Sequence, residues 1–127
     1  MIKQIKSSKA NPDVSSVECK KQLLPVRDSL DILNGKWKLP IIIALSFGRK
    51  RFKVIEREVK GITAKMLSKE LKDLEMNKLV KRTVYDTKPV TVEYELTEYG
   101  KTLDDVIDAL RDWGVKHRNK ILGKPKK

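Results

Sequence analysis

The strongest structural signal in this sequence lies in residues 63–77, which read TAKMLSKELKDLEMN. Three leucines in this stretch follow one another at spacings of four and three residues, so they form one narrow apolar stripe on a helix. Thr63 precedes the first turn and is a favourable N-cap residue. We therefore predict an amphipathic helix over residues 64–77 whose polar side points away from the stripe. The leucines of the stripe are Leu67, Leu71 and Leu74.

A shorter helix is predicted immediately before this one. Phe52, Ile55 and Val59 are spaced three and four residues apart, which is typical of one face of a helix over residues 52–59. Between the two helices lies Lys60-Gly61-Ile62, a tight turn in which glycine tolerates backbone angles that other residues avoid. Two short helices joined by a glycine-containing turn form a helix-turn-helix.

The pattern changes period after the helix-turn-helix. Residues 79–85 and 90–96 alternate and are rich in β-branched side chains, which predicts two strands. The four residues between them, 86–89, predict the tip of a β-hairpin. A helix-turn-helix followed by a hairpin is the winged-helix layout. The predicted fold class is therefore α+β, mostly α: a winged helix-turn-helix with a two-stranded β-hairpin wing.

Three further helices complete the predicted fold. The first starts at Pro25 and is stopped by Asn34-Gly35, because both residues accept the left-handed conformation at the end of a helix. The second covers about residues 36–46, and the last runs from Glu98 to Ile121 with Thr97 as its cap. We expect a flexible N-terminal tail over residues 1–18, one domain over 19–122 and a basic C-terminal tail over 123–127.

The charge balance indicates a polyanionic partner. The chain carries 29 basic and 17 acidic residues, a formal net charge of +12, which favours nucleic acid or an anionic membrane surface. The longest apolar run, residues 39–45, is too short to span a bilayer, and the lysine-rich N-terminus does not resemble a signal peptide. We expect a cytoplasmic protein that does not bind membranes.

The sequence offers no pattern typical of an enzyme. His117 is the only histidine, and Cys19 is the only cysteine, so neither a histidine-rich metal site nor a disulfide scaffold is possible. It also contains no glycine-rich phosphate loop and no CxxC pair. We predict no enzymatic activity, no metal and no cofactor.

The winged layout predicts how duplex DNA would be read. One helix fits the major groove, where every base pair displays a distinct pattern of donors and acceptors. The helix over residues 64–77 is neutral overall, but its lysines and small residues share the face opposite the leucine stripe. The alternative is an ordinary solvated helix, and the basic cluster at residues 49–51 could equally be a solvated charge run. We predict base-edge contacts from Lys65, Ser68 and Lys69, and phosphate contacts from the basic cluster and the hairpin tip. The full predicted set of DNA-contacting residues is Arg49, Lys50, Arg51, Thr63, Ala64, Lys65, Ser68, Lys69, Lys72, Arg82, Thr87 and Lys88.

The last helix carries an apolar stripe, and a small winged domain offers little other surface against which this stripe could be buried. We expect it to pack against its counterpart in a second copy, together with the first helix, although the stripe could instead close the core of the monomer. A two-fold homodimer predicts a pseudo-palindromic operator, with half-sites roughly 34–36 Å or a multiple of that apart. The predicted interface residues are Val26, Leu30, Leu103, Val106, Ile107, Leu110, Trp113 and His117.

Several separated motifs occur here in the order typical of one family. The chain resembles the HxlR-type winged helix-turn-helix transcriptional regulators from about Pro25 to His117. This resemblance implies a dimeric bacterial or archaeal regulator whose first and last helices, the N- and C-terminal dimerisation helices, build the dimer interface. The motifs are Pro25-Val26, Gly35-Lys36-Trp37, Arg51-Phe52, Gly61-Ile62-Thr63, Leu67-Ser68, Leu71, Leu74, Val92-Glu93-Tyr94, Leu96-Thr97-Glu98-Tyr99-Gly100 and Asp112-Trp113-Gly114.

The chain departs from the family at one position. Members commonly carry a cysteine directly before the Pro-Val pair, and in some it senses oxidants, but here that position is Leu24. Cys19 lies five residues earlier, beside two lysines whose charge favours a thiolate. The leading expectation is a repressor, and two alternatives stay open. One is a redox- or ligand-responsive regulator that uses Cys19 or an interface pocket for a small-molecule effector. The other is a winged domain used for protein interaction.

Overall fold

The computed structural model describes residues 12–123, and the chain divides after Asn34 into two units. The first unit contains one described helix, α1, over Pro12–Ile32. The predicted start at Pro25 is wrong: this proline lies inside α1 and removes one backbone donor, a cost of about 3 kcal/mol. The helix nevertheless continues on both sides of Pro25. Residues 12–18, which we expected to form part of a flexible tail, are helical, while residues 1–11 and 124–127 lie outside the described part of the chain.

The second unit contains the winged helix-turn-helix. Its helix-turn-helix consists of α3 (Phe52–Glu58) and α4 (Ala64–Met76), and its wing is the hairpin of β2 (Val80–Tyr85) and β3 (Thr91–Leu96), so the predicted fold is confirmed. No helix within residues 12–123 is long and apolar enough to cross a membrane. The elements of this unit are α2 (Lys38–Leu45), β1 (Lys50–Arg51), α3 (Phe52–Glu58), α4 (Ala64–Met76), β2 (Val80–Tyr85), β3 (Thr91–Leu96), a 3-10 turn (Gly100–Leu103) and α5 (Asp104–Leu122).

The sheet has three antiparallel strands in the order β1-β3-β2, so the prediction of a two-stranded sheet was incomplete. The added strand, β1, pairs Lys50 with Tyr94 and Arg51 with Glu93. A strand of two residues is too short to show an alternating pattern, because its pairing depends on a partner more than forty residues away. The third strand places the basic cluster beside the wing.

The core of the second unit lies between α2, α3, α4 and the base of the wing. The leucine stripe of α4 is completely buried, as predicted, and α2 contributes its apolar run. By contrast, α5 contains no buried residue. The buried apolar residues are Ile41, Ile42, Ala44, Leu45, Ile55, Val59, Ile62, Leu67, Leu71, Leu74, Leu79, Val80, Tyr94 and Leu96.

The junction between β3 and the last helix explains why threonine and glycine stand where they do. Thr97 Oγ1 accepts a hydrogen bond from Gly100 N at 2.9 Å and donates one to Lys78 O at 2.7 Å. A Cβ atom at Gly100 would lie 2.2 Å from Leu79 O, well inside van der Waals contact. Thr97 therefore caps the 3-10 turn, whereas the predicted helix start at Glu98 is wrong because the α-helix begins at Asp104. Only glycine fits at position 100.

The end of α4 has an unusual residue in a left-handed conformation. Leu79 N donates to Leu74 O at 3.0 Å and Lys78 N donates to Glu75 O at 2.9 Å, the pair of bonds that defines a Schellman motif. The residue that adopts the positive φ, 65°, is Lys78 rather than the usual glycine. This turn leads α4 directly into the wing.

Candidate nucleic-acid interface

The outer face of α4 is exposed and carries the predicted lysines. With the leucine stripe fully buried, the polar residues on the opposite side of the helix point to solvent. Thr63 Oγ1 accepts a hydrogen bond from Met66 N at 3.1 Å, so the predicted N-cap is confirmed. The predicted contact residues that this face exposes are Ala64, Lys65, Ser68, Lys69 and Lys72.

The turn before α4 sets the angle at which this face is presented. Gly61 has a φ of +91°, a conformation that side chains of L-residues rarely adopt. Val59 and Ile62 on either side of the glycine are buried, so the turn is anchored to the core rather than loose. The orientation of α4 relative to α3 is thereby fixed by packing on both sides of one glycine.

The inner side of α4 holds a buried ion pair that the sequence reasoning missed. Lys38 Nζ lies 2.5 Å from Glu70 Oε1, and both side chains are less than a tenth exposed. Burial lowers the pKa of Lys38, but the hydrogen bond to Glu70 and the charges of Glu70 and Asp73 outweigh it, so the pKa is raised. The available signal was a lysine at the start of the otherwise apolar α2, since a charge in a core segment needs a partner.

Asp73 connects this buried pair to the exposed face. Its Oδ2 atom lies 3.4 Å from Lys38 Nζ and 3.5 Å from Lys69 Nζ, so one carboxylate oxygen contacts two ammonium groups. Lys69 is one of the residues predicted to contact base edges. The contact with Lys69 lies within one turn of α4, whereas the contact with Lys38 depends on how α2 packs against α4.

The basic cluster at residues 49–51 is partly occupied by contacts within the protein. Arg49 is exposed, and its Nη1 donates to the hydroxyl of Tyr85 at 3.0 Å, while Nε lies 3.9 Å from Glu93. Tyr85, followed by the negative charges of Glu95 and Glu93, raises the pKa of Arg49. These contacts hold Arg49 over the wing.

The two other residues of the cluster differ in accessibility. Lys50 Nζ pairs with Glu58 Oε1 at 2.5 Å, and only 15% of its side chain is exposed. Lys50 thus ties β1 to α3 and would have to leave Glu58 to reach a phosphate. Arg51 is exposed at the edge strand, opposite Glu93 in the sheet register. Of the three, Arg49 and Arg51 are the better placed for a ligand.

The wing presents its tip to solvent. Residues 86–89 are all exposed, Lys88 among them, and Arg82 is exposed on β2. The Thr87 hydroxyl donates to Pro89 O at 2.7 Å, so Thr87 uses its proton to shape the tip. Lys88 and Arg82 are therefore the residues of the wing with charged groups available to an anion.

The predicted interface residues are largely exposed, each within its own unit. On α5, Val106, Leu110 and Trp113 point to solvent, and the Trp113 ring stacks on His117 with centroids 5.1 Å apart. Ile107 and Leu103 are half-buried. On α1, Val26 and Leu30 are exposed, and so is the thiol of Cys19, which is a free cysteine. Both helices therefore carry apolar side chains that the described part of the chain leaves uncovered.

Comparison with known proteins agrees with this architecture. A model of the HxlR-like helix-turn-helix family matches residues 32–121. The chain is similar to YtcD of Bacillus subtilis (strain 168), an uncharacterized HTH-type transcriptional regulator, at 40% identity over 107 residues that cover 84% of this chain and 85% of YtcD. A crystal structure of an HTH-type transcriptional regulator ytcD is 41% identical, with a TM-score of 0.72 over 74% of this chain and 96% of that one. The redox regulator HypR in its oxidized form is 40% identical, with a TM-score of 0.67 over 71% of this chain and 93% of that chain.

Proposed function

Because this chain belongs to the HxlR-like helix-turn-helix family, we propose that it regulates transcription by binding specific duplex DNA sites as a homodimer. The observation that carries the proposal is the outer face of α4. Its lysines and small residues are exposed along one side of a helix whose other side is anchored by three buried leucines. A rigid helix with a cationic, low-profile face suits the major groove.

In the proposed complex, the residues divide into two roles. Lys65, Ser68 and Lys69 face the base edges, because they lie on the exposed side of α4 near its first turns. Lys72 extends this face, and the hydroxyl of Thr63 retains its proton for a phosphate while its oxygen caps the helix. Base-edge contacts provide sequence choice and phosphate contacts provide affinity and register.

The wing and the basic cluster supply the remaining phosphate contacts. We assign these to Lys88 at the tip, to Arg82 on β2, and to Arg49 and Arg51 beside β3. Lys50 contributes only if its pairing with Glu58 opens. The excess of positive charge, +12 for the whole chain, favours the encounter with DNA at low salt.

The dimer assignment rests on the uncovered apolar stripe of α5. An exposed stripe that includes Leu110 and Trp113 is costly in water unless a second surface covers it. We propose that a second copy of the chain covers this stripe, with Val26 and Leu30 of α1 completing the interface. The domain would then be residues 19–122, and the site a pseudo-palindrome that matches the two-fold axis. A compact dimer of this kind would act most simply as a repressor, without enzymatic activity.

Selection of bound sequences from random duplex DNA, followed by binding titrations against salt, tests the proposal. A selected duplex should bind far more tightly than a scrambled duplex of the same composition, and affinity should fall steeply with salt. Lys65→Ala should relax sequence preference, whereas Lys88→Ala should weaken all duplexes alike and reduce the salt slope by about one. Lys116→Ala, an exposed lysine of α5, is the matched control. Failure to enrich any sequence, with weak binding at low salt, would favour a protein-interaction role instead.

A redox-responsive version of this regulator is the second candidate. The observation that favours it is the exposed free thiol of Cys19 on α1, together with the similarity to the redox regulator HypR. We would compare DNA binding of the wild type and of Cys19→Ser, with and without oxidant. Loss of binding only in the oxidised wild type supports the candidate; identical behaviour of the two proteins contradicts it.

A further inference from the structure

A continuous line of alternating charges runs from the core to the outer face of α4. Glu70, Lys38, Asp73 and Lys69 follow one another at 2.5, 3.4 and 3.5 Å. Exposure rises along this line: the side chains of Lys38, Asp73 and Lys69 are 7%, 38% and 66% exposed. The line therefore joins a buried charge to a solvent-facing one.

Asp73 is held differently from an ordinary surface carboxylate. A surface ion pair between residues four apart on a helix contributes little to stability, because both side chains are free to move. Here the Oδ2 atom that contacts Lys69 also contacts Lys38, whose own side chain is buried and pairs with Glu70 of α4. The inner contact fixes the carboxylate and gives Lys69 a defined partner on its C-terminal side.

We propose that Asp73 is a positioning residue for DNA recognition: anchored by Lys38, it holds Lys69 along α4 and keeps a negative charge beside the DNA-facing side. This inference rests on the proposed function. A negative charge at that place opposes indiscriminate attraction to phosphates, while an aligned Lys69 favours a directed contact with one base edge. Asp73 therefore raises the ratio of specific to non-specific binding without contacting DNA itself.

The test compares Asp73→Asn with the wild type on a duplex selected from random sequence and on a scrambled duplex of the same composition. Removal of the charge should tighten binding to the scrambled duplex roughly five- to tenfold and steepen its salt slope by about one. The selected duplex should change less than about twofold, because the gain in attraction is offset by the loss of Lys69 alignment. The specificity ratio then falls by roughly the same five- to tenfold.

Three further variants separate this role from a purely structural one. Asp73→Glu keeps the charge and should retain most of the wild-type ratio. Glu98→Gln removes a carboxylate that pairs with Lys101 outside α4 and should leave the ratio unchanged. The double variant Lys38→Met/Glu70→Leu keeps the core filled but removes the inner anchor, so the ratio should fall while the melting temperature is maintained.

The outcomes distinguish the inference from the proposed function. If the wild type selects no sequence, the proposed function fails. If the wild type discriminates normally but Asp73→Asn shifts both duplexes by the same factor, or shifts neither, the positioning role of Asp73 is overturned. If Asp73→Asn lowers the ratio while the double variant does not, the anchoring by Lys38 is overturned.

Discussion

Lys38 Nζ and Glu70 Oε1 are 2.5 Å apart in the core, and their contact joins α2 to α4 at the point where the helix-turn-helix must be rigid. Two opposite charges taken out of water stabilise a fold only when each has the other. Among residues 16–123, whose side chains the structure describes, no buried side-chain nitrogen or oxygen lacks a hydrogen-bond partner. The pair therefore holds the two helices in one relative position. Losing one partner would also leave the other charge buried and unpaired, which is costly.

Lys38→Met should lower the free energy of unfolding by about 3–5 kcal/mol, because Glu70 would be left buried without its cation. Adding Glu70→Leu to that variant should recover most of the loss, since an apolar pair fills a similar volume. Urea denaturation of the wild type, the single and the double variant measures both effects. A single variant as stable as the double one would contradict the prediction.

Alkaline pH should remove the contribution of this pair. The pKa of Lys38 is raised in the folded state above its ordinary value of 10.5, so the added stability is fully present below that pH and is lost as pH rises through the folded-state pKa. The wild type should lose stability above about pH 10.5 more steeply than Lys38→Met/Glu70→Leu. Parallel curves for the two proteins over that window would show that Lys38 does not carry the effect.

Gly100→Ala should destabilise the protein by about 1–3 kcal/mol, because the new Cβ would collide with Leu79 O and push the 3-10 turn away from the residue that precedes β2. Gly114→Ala is the matched control. Apart from its chain neighbours and the backbone of α5 itself, no atom of the described residues lies within 4 Å of a Cβ at Gly114, so alanine there should stabilise by about 0.5–1 kcal/mol. Thermal melts that show the same sign for both variants would rule out the steric explanation.

Lys78→Gly should raise the free energy of unfolding by about 0.5–1 kcal/mol, because glycine adopts the positive φ of this position without the steric penalty that lysine has. The same substitution at Lys72, an exposed helical position, should lower stability by about 1 kcal/mol. Chemical denaturation of both variants provides the comparison. A loss of stability at position 78 would indicate that the lysine side chain makes a contribution larger than its backbone cost.

Leu110→Asp should convert the proposed dimer to a monomer, because it places a charge in the centre of the apolar stripe of α5. Val115→Asp is a close control: its side chain is equally exposed, at 52%, but it lies on another side of the same helix. Sedimentation or light scattering at several concentrations measures the association. A wild type that is monomeric at micromolar concentration, or two variants that behave alike, would contradict the assignment of this interface.

The sequence predicted those parts of the candidate site that depend on contacts between residues close together in the chain. The outward lysines of α4 followed from the spacing of Leu67, Leu71 and Leu74, and the structure confirms their exposure. Thr63 as N-cap was also predicted, because capping acts within three residues. Thr97 was predicted to cap a helix from Glu98, but it caps the 3-10 turn that precedes α5. The start of α1 was wrong, because proline is common in a first turn and its tolerance inside a helix depends on the residues around it.

The sequence did not predict which of the proposed phosphate-binding residues already have partners within the protein. Lys50 pairs with Glu58, Arg49 with Tyr85, and the Thr87 hydroxyl with the carbonyl of Pro89. A count of basic residues treats these groups as equivalent, but the structure leaves Arg51, Lys88 and Arg82 more accessible than Lys50. Accessibility depends on the neighbours that the sheet brings together.

Local periodicity and turn chemistry were enough to define the helix-turn-helix, the hairpin and the outward-facing side of α4, because each of these depends on residues within a few positions of one another. The third strand and the line of charges from Glu70 through Lys38 and Asp73 to Lys69 depend on packing. Lys38 and Glu70 are 32 residues apart in the chain, and nothing near either one specifies the other. Burial made their pairing necessary, since a lone charge in the core would be far costlier than the same charge in water.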